Sequence, residues 1–168
     1  MMRKGLVILL ATLIVSSCIK EASNAGESVT IGDPMPAFTV TMGDGSELDS
    51  RSLNGHPSLL VFFNTTCPDC RVTLPRVQRA YEEFAPRGVR FVAISRAQGA
   101  DEVRSYWDAS GFTIPWSAQE DRKVYQLFAQ SVIPRVYVFD RRGTVTAMFG
   151  DNPCPQYEDL VSAIEQVL

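Results

Sequence analysis

Residues 67–70 read Cys-Pro-Asp-Cys, two thiols three positions apart. Such a pair can cycle between dithiol and disulfide, supply half of a metal site, or belong to a structural disulfide set. The other candidate ligands narrow the choice. The chain holds four cysteines, Cys18, Cys67, Cys70 and Cys154, and a single histidine, His56. Cys18 directly follows an N-terminal leader and is set aside, and the three that remain are an odd count, which closes no disulfide framework. A zinc site takes about four ligands. Here that would need Cys67, Cys70, Cys154 and His56 together, but His56 follows Gly55 in a short loop and reads as an exposed residue. No metal and no other cofactor is expected. Redox chemistry at Cys67 and Cys70 is the reading that uses the spacing.

The leader sets the compartment. Arg3 and Lys4 precede the apolar run from Leu6 to Val15. A membrane-spanning helix needs about 20 apolar residues, so this run reads instead as a secretory signal. It ends Val15-Ser16-Ser17-Cys18, which resembles a bacterial lipoprotein processing site with Cys18 as the lipidated first residue of the mature chain. Residues 1–17 are then a lipoprotein-type signal peptide and residues 18–30, polar and small, a flexible tether. Residues 31–168 form one domain of ordinary size. The expected location is periplasmic and membrane-anchored through lipid. Disulfide chemistry persists in such exported compartments. Removing the signal leaves 14 basic against 19 acidic side chains. With no basic stripe, nucleic acid is not an expected partner.

The elements that must position the thiols follow from apolar patterning. Residues 37–42 and 46–48 flank Gly43-Asp44-Gly45 and predict a short hairpin. Residues 58–63, Ser-Leu-Leu-Val-Phe-Phe, read as a strand covered on both faces. Helical spacing runs from Pro68 to about Ala85, and a second buried strand covers 89–95. A helix is expected over 101–110, a short strand over 112–116 and a helix over 123–130. Strands over 136–140 and 144–149 flank the turn Arg141-Arg142-Gly143, and an amphipathic helix over 157–167 closes the chain. Strands joined through helices run parallel and those joined by the turn antiparallel. The fold class is therefore α/β, a mixed central sheet with helices on both faces.

A strand ending at a CxxC, a helix carrying Pro75, and a late Ile133-Pro134 before another strand together resemble the thioredoxin fold. The N-terminal hairpin, the helix and strand inserted between Ser95 and Asp121, and the opening Ile31-Gly32-Asp33-Pro34 are similar to the TlpA/ResA-type membrane-anchored thiol–disulfide oxidoreductases. The resemblance covers roughly residues 31–168. It implies a dithiol enzyme that reduces or exchanges disulfides in client proteins and is recharged by an upstream dithiol donor.

Local physics points the same way. Cys67 stands where a strand gives way to a helix, and Pro68 suits a first-turn position. Unpaired N–H groups and the positive helix end favour a thiolate there. Cys67 is thus the expected nucleophile and Cys70 the buried resolver that captures it. Asp69 opposes a thiolate beside it and is expected to make the couple more reducing. The resemblance makes Pro134 a cis-proline and sets the Ile133 backbone next to Cys67, where a client chain would pair. Thr66, where the family often has Trp, joins Ile133 and Pro134 as a substrate-contacting position. Thr73 stands where the family often has a proton-relaying glutamate, which leaves the acceptor of the Cys70 proton unassigned. The antiparallel return of the last strand brings Cys154 toward the active-site edge, near Cys67, as an accessory thiol.

Two other functions fit parts of this pattern. A peroxiredoxin-like thiol peroxidase would carry Thr three residues before the reactive cysteine, where this chain has Asn64. A non-catalytic binding lipoprotein would need an exposed apolar patch; Trp107 and Trp116 could furnish one, but their helical spacing suits core packing better.

Overall fold

The computed structural model describes residues 28–168. The signal peptide, Cys18 and most of the tether lie outside the described residues. Among those described, no helix is long and apolar enough to cross a membrane.

Strands β1 (Thr39–Thr41) and β2 (Glu47–Asp49) form the antiparallel hairpin. Strand β3 (Ser58–Phe63) is buried at every position and leads into α1 (Pro68–Phe84). Then follow β4 (Arg90–Ser95), α2 (Ala100–Ser110), β5 (Trp116–Ser117) and α3 (Lys123–Gln126). Strands β6 (Arg135–Phe139) and β7 (Val145–Phe149) and helix α4 (Tyr157–Glu165) complete the domain. The main sheet has the order β5-β4-β3-β6-β7. β3 pairs parallel with β4 and antiparallel with β6, and β7 returns antiparallel to β6. This is the mixed sheet expected from the patterning, with one difference: β6, joined to β5 through α3 and therefore expected parallel to it, runs antiparallel to β3 and so to β5.

Alternation along β3 divides the core in two, because successive side chains leave opposite faces. Phe62 packs edge-on against Tyr125 at 5.6 Å between ring centroids and tilts against Phe128 at 4.9 Å. Its neighbour Phe63 faces the other way, onto Trp107 of α2 at 4.9 Å. Helix α3 therefore covers one face and α2 the other. α4 packs beside α1, where Arg79 lies over the Tyr157 ring at 3.6 Å and Arg76 donates to the Pro155 carbonyl at 2.8 Å. Trp107 is buried and Trp116 half-buried, so neither indole forms an exposed patch.

Three expected boundaries move, each for a hydrogen-bonding reason. The strand expected over 112–116 is reduced to Trp116–Ser117. The Thr113 and Ile114 N–H groups are taken by the buried side-chain oxygen of Gln78, at 2.9 and 3.1 Å, instead of a ladder. The helix expected over 123–130 stops at Gln126. Its end tightens into i+3 bonds, and the Phe128 carbonyl turns away to accept the Ser28 and Val29 N–H groups. Those same bonds hold Val29, 4% exposed, against the domain, so the packed chain begins before Ile31.

Candidate active site

The site is built where β3 hands over to α1. Asn64 turns the chain: its carboxamide oxygen accepts the Thr66 N–H at 2.9 Å and the Thr66 hydroxyl at 2.7 Å. Its amide nitrogen donates to the Arg96 carbonyl at 3.3 Å, tying this turn to the end of β4. Thr65 is gripped from three sides. Its N–H donates to the Gln98 side chain at 2.9 Å, its hydroxyl accepts from the Gln98 amide, and its carbonyl accepts Nε of Arg71 at 2.7 Å. Gln98 is itself buried, with its carbonyl held by Ser95 Oγ at 3.0 Å. Arg71, Arg96 and Gln98 were not singled out from the sequence, and Asn64 only as a departure from a peroxidase pattern. Each is a common polar residue, and only the fold shows that their side chains converge on one loop.

This clamp delivers Cys67 to the N-cap position of α1, a 17-residue helix. Cys67 has extended backbone and is half-buried; Pro68 and Asp69 follow it on the exposed first turn. No side chain caps the helix start, so the cysteine itself occupies the place where first-turn N–H groups gather. Pro75 lies inside α1 on its exposed side. Cys70 is fully buried one turn on. All three described cysteines are free thiols.

Across from Cys67 runs the segment before β6. The Ile133–Pro134 peptide bond is cis, and both residues are buried. The Cys67 thiol lies 3.6 Å from the Ile133 carbonyl oxygen, to which it donates. Val132 is exposed and has φ of +59°, in the left-handed region. The hydroxyl of Tyr125 donates into this turn, to the carbonyls of Ser131 and Val132, the latter at 2.6 Å. Thr66, Cys67, Ile133 and Pro134 are thus gathered at one edge of the sheet.

Burial pushes the Cys70 thiol well above the ordinary thiol range. The neighbouring Cys67 adds to that, while the Asn64 backbone and the Arg96 charge act the other way. Thr73 is buried on α1, and its hydroxyl has no hydrogen-bond partner among the described residues. It supplies no carboxylate for the Cys70 proton.

Cys154 does come to this edge of the sheet, as the β6–β7 pairing requires. Its sulfur lies 3.9 Å from the Asp69 carbonyl oxygen and 3.5 Å from that of Asp151. It therefore touches the backbone between the two motif cysteines. His56 lies in the loop before β3, at the other end of that strand from the dithiol, and no group of three His, Cys, Asp or Glu side chains among the described residues is placed to hold a metal. A cavity of about 480 Å³ opens between the hairpin and the β4–β5 edge, lined by Leu48, Phe91, Trp107 and Trp116 among others, and touches neither motif cysteine.

Residues 31–148 match the model of the AhpC/TSA family. The chain belongs to that family. It is 23% identical over 143 residues to the thiol-disulfide oxidoreductase ResA of Bacillus subtilis, covering 85% of this chain and 80% of that one. The Bacillus anthracis ResA is 23% identical over 139 residues, 82% and 80% of the two chains. Among solved structures, a putative protein disulfide isomerase from Bacteroides thetaiotaomicron superposes with a TM-score of 0.77 at 23% identity, over 84% of this chain and 90% of that one. A thioredoxin-family thiol:disulfide interchange protein from Chlorobium tepidum gives 0.72 at 24% identity, over 82% and 97%. These likenesses show a thioredoxin-like fold.

The raised Cys70 pKa carries a pH signature for the reduced protein. In the unfolded chain this thiol ionises near its ordinary value of 9.0, whereas in the folded state it holds its proton to higher pH. Above pH 9.0 the unfolded state has therefore lost a proton that the folded state keeps, and stability falls as pH rises. Urea titrations of the reduced protein at rising alkaline pH should show this loss, and Cys70→Ala should flatten the dependence. An unchanged slope in the variant would show that Cys70 is not its source.

Proposed function

We propose that this chain is an exported thiol–disulfide oxidoreductase, anchored through lipid on Cys18, that reduces or exchanges disulfides in client proteins. The observation that carries the reading is the pairing of a half-buried Cys67, at a helix start and 3.6 Å from the Ile133 carbonyl, with a fully buried Cys70 one turn behind. The ResA relatives, named thiol-disulfide oxidoreductases, support it.

In this reading the Cys67 thiolate attacks one sulfur of a client disulfide. The S–S bond breaks, a Cys67–client mixed disulfide forms, and the first client sulfur leaves as thiolate. Cys70, deprotonated, then attacks the Cys67 sulfur. The Cys67–Cys70 disulfide forms and the second client sulfur leaves. Two electrons pass from the dithiol to the client, and the client thiolates take protons from water. An upstream dithiol donor returns the enzyme to its reduced form. Thr66, Ile133 and Pro134 contact the client chain, with the Ile133 backbone offered for extended pairing. Pro68 and Asp69 tune the couple; Cys154 is assigned no step.

Family membership makes peroxide an alternative oxidant for Cys67. Against it, Asn64 stands where a peroxidase of this family would carry Thr, and its side chain is already committed to Thr66 and Arg96.

With dithiothreitol as reductant, the protein should accelerate reduction of insulin disulfides more than it consumes hydrogen peroxide. Cys67→Ser should abolish this, and Cys70→Ser should accumulate a mixed disulfide recoverable by mass spectrometry. Peroxide consumption without insulin reduction would overturn the reading. Equilibration with glutathione should place Asp69→Asn at a more oxidising potential than the wild type, because a negative charge beside the reacting sulfur is removed; an unchanged potential would dismiss Asp69 as a tuning residue. For the anchor, Cys18→Ala should move the full-length protein from the membrane to the soluble fraction of an expressing bacterium, and retention on the membrane would refute lipidation at that residue.

A further inference from the structure

Val132 is a β-branched residue held at φ of +59°, a conformation that such residues adopt only where their surroundings over-determine it. Its own side chain does not provide the constraint, since it is exposed. The constraint comes from the backbone, whose carbonyls at Ser131 and Val132 accept from the single hydroxyl proton of Tyr125. That hydroxyl is in turn well anchored. Tyr125 is 1% exposed, its ring packs edge-on against Phe62, and the Arg96 guanidinium lies 5.0 Å above the ring. The charged groups that reach its oxygen are those of Arg96 and Arg135, from the ends of β4 and β6. Burial, the larger influence, raises its pKa, so it remains a donor through the neutral range.

We propose that Tyr125 is a positioning residue of the redox site. Its hydroxyl pins the strained Ser131–Val132 turn and so aims the Ile133 carbonyl at Cys67 and the Ile133 backbone at a client chain. The inference rests on the dithiol reading of the site. It adds that α3, which carries no reacting atom, governs how a protein client is received. A small disulfide spans no pairing with residue 133 and should lose nothing when this turn loosens.

The test uses Tyr125→Phe in the full chain, which keeps the ring and its packing and removes only the hydroxyl. KM for insulin disulfides should rise about five- to tenfold, the weight of one hydrogen bond. kcat/KM for dithiobis(nitrobenzoate) should not fall, because only an extended client uses the strand-like backbone. Iodoacetamide should label Cys67 faster, as the Ile133 carbonyl no longer lies against its sulfur. This last readout needs no client, so it separates failure of the inference from failure of the proposed activity. Val132→Gly supplies a second background, since glycine adopts a positive φ without strain. There, Tyr125→Phe should have a clearly smaller effect on insulin KM and on labelling, a non-additivity expected of coupled residues. Equal losses on both disulfides, unchanged Cys67 labelling, or full additivity with Val132→Gly would each overturn the proposal.

Discussion

A single contact organises this protein: the Cys67 thiol against the Ile133 carbonyl, between two segments 66 residues apart in sequence. On one side, the chain leaving β3 is bent by Asn64, gripped at Thr65 by Gln98 and Arg71, and released into α1 at Cys67. On the other, a strained turn delivers Ile133. Neither segment has regular secondary structure, and each is fixed by side-chain hydrogen bonds to backbone. Irregular backbone groups that are buried need such partners. The Cys67 sulfur is thus held by polar bonds at an end of the sheet, where it stays half-buried.

The apolar core serves this arrangement by fixing what lies behind it. Every residue of β3 is buried, with Phe62 in an aromatic group on the α3 face and Phe63 on Trp107 opposite. Fully burying one such side chain stabilises by roughly 1.5–3 kcal/mol. The end of β3 therefore cannot shift without disturbing both layers. Because Phe62 also packs on Tyr125, the same aromatic group that secures the dithiol strand secures the hydroxyl under the Val132 turn. The two halves of the site share one foundation.

Much of this was legible in the amino-acid sequence because it follows from period and punctuation. An unbroken apolar run marked β3, Pro68 and helical spacing marked α1, and Gly143 marked the β6–β7 turn. The antiparallel return of β7 then implied that Cys154 would reach the active-site edge, and its sulfur lies on the Asp69 carbonyl. What was not legible depends on polar side chains acting at long range. Gln78 takes the N–H groups of Thr113 and Ile114, and a strand expected from 112 becomes a two-residue one. Gln98 and Tyr125 brace the two sides of the site, yet nothing local distinguishes them from other buried polar or aromatic residues. Local patterning records which residues face the core, and it is silent on which buried polar atoms meet.

The buried state of Cys70 bears on when its proton can leave. As the proposed resolver it must lose a proton, yet burial holds that proton and the adjacent Cys67 holds it further, through a hydrogen bond and through charge. Thr73 on the same helix is no base, and no carboxylate lies within β3. The two influences from Cys67 exist only while its sulfur is free. Once that sulfur is bonded to a client it bears no negative charge. The Asn64 backbone bond and the Arg96 charge, which favour the Cys70 thiolate, remain in place. In the proposed mechanism, capture of a client at Cys67 removes two of the influences that hold the Cys70 proton, while burial, the largest of them, stays. In that reading Cys70 keeps its proton while the Cys67 sulfur is free, and the first attack on a client is left to Cys67.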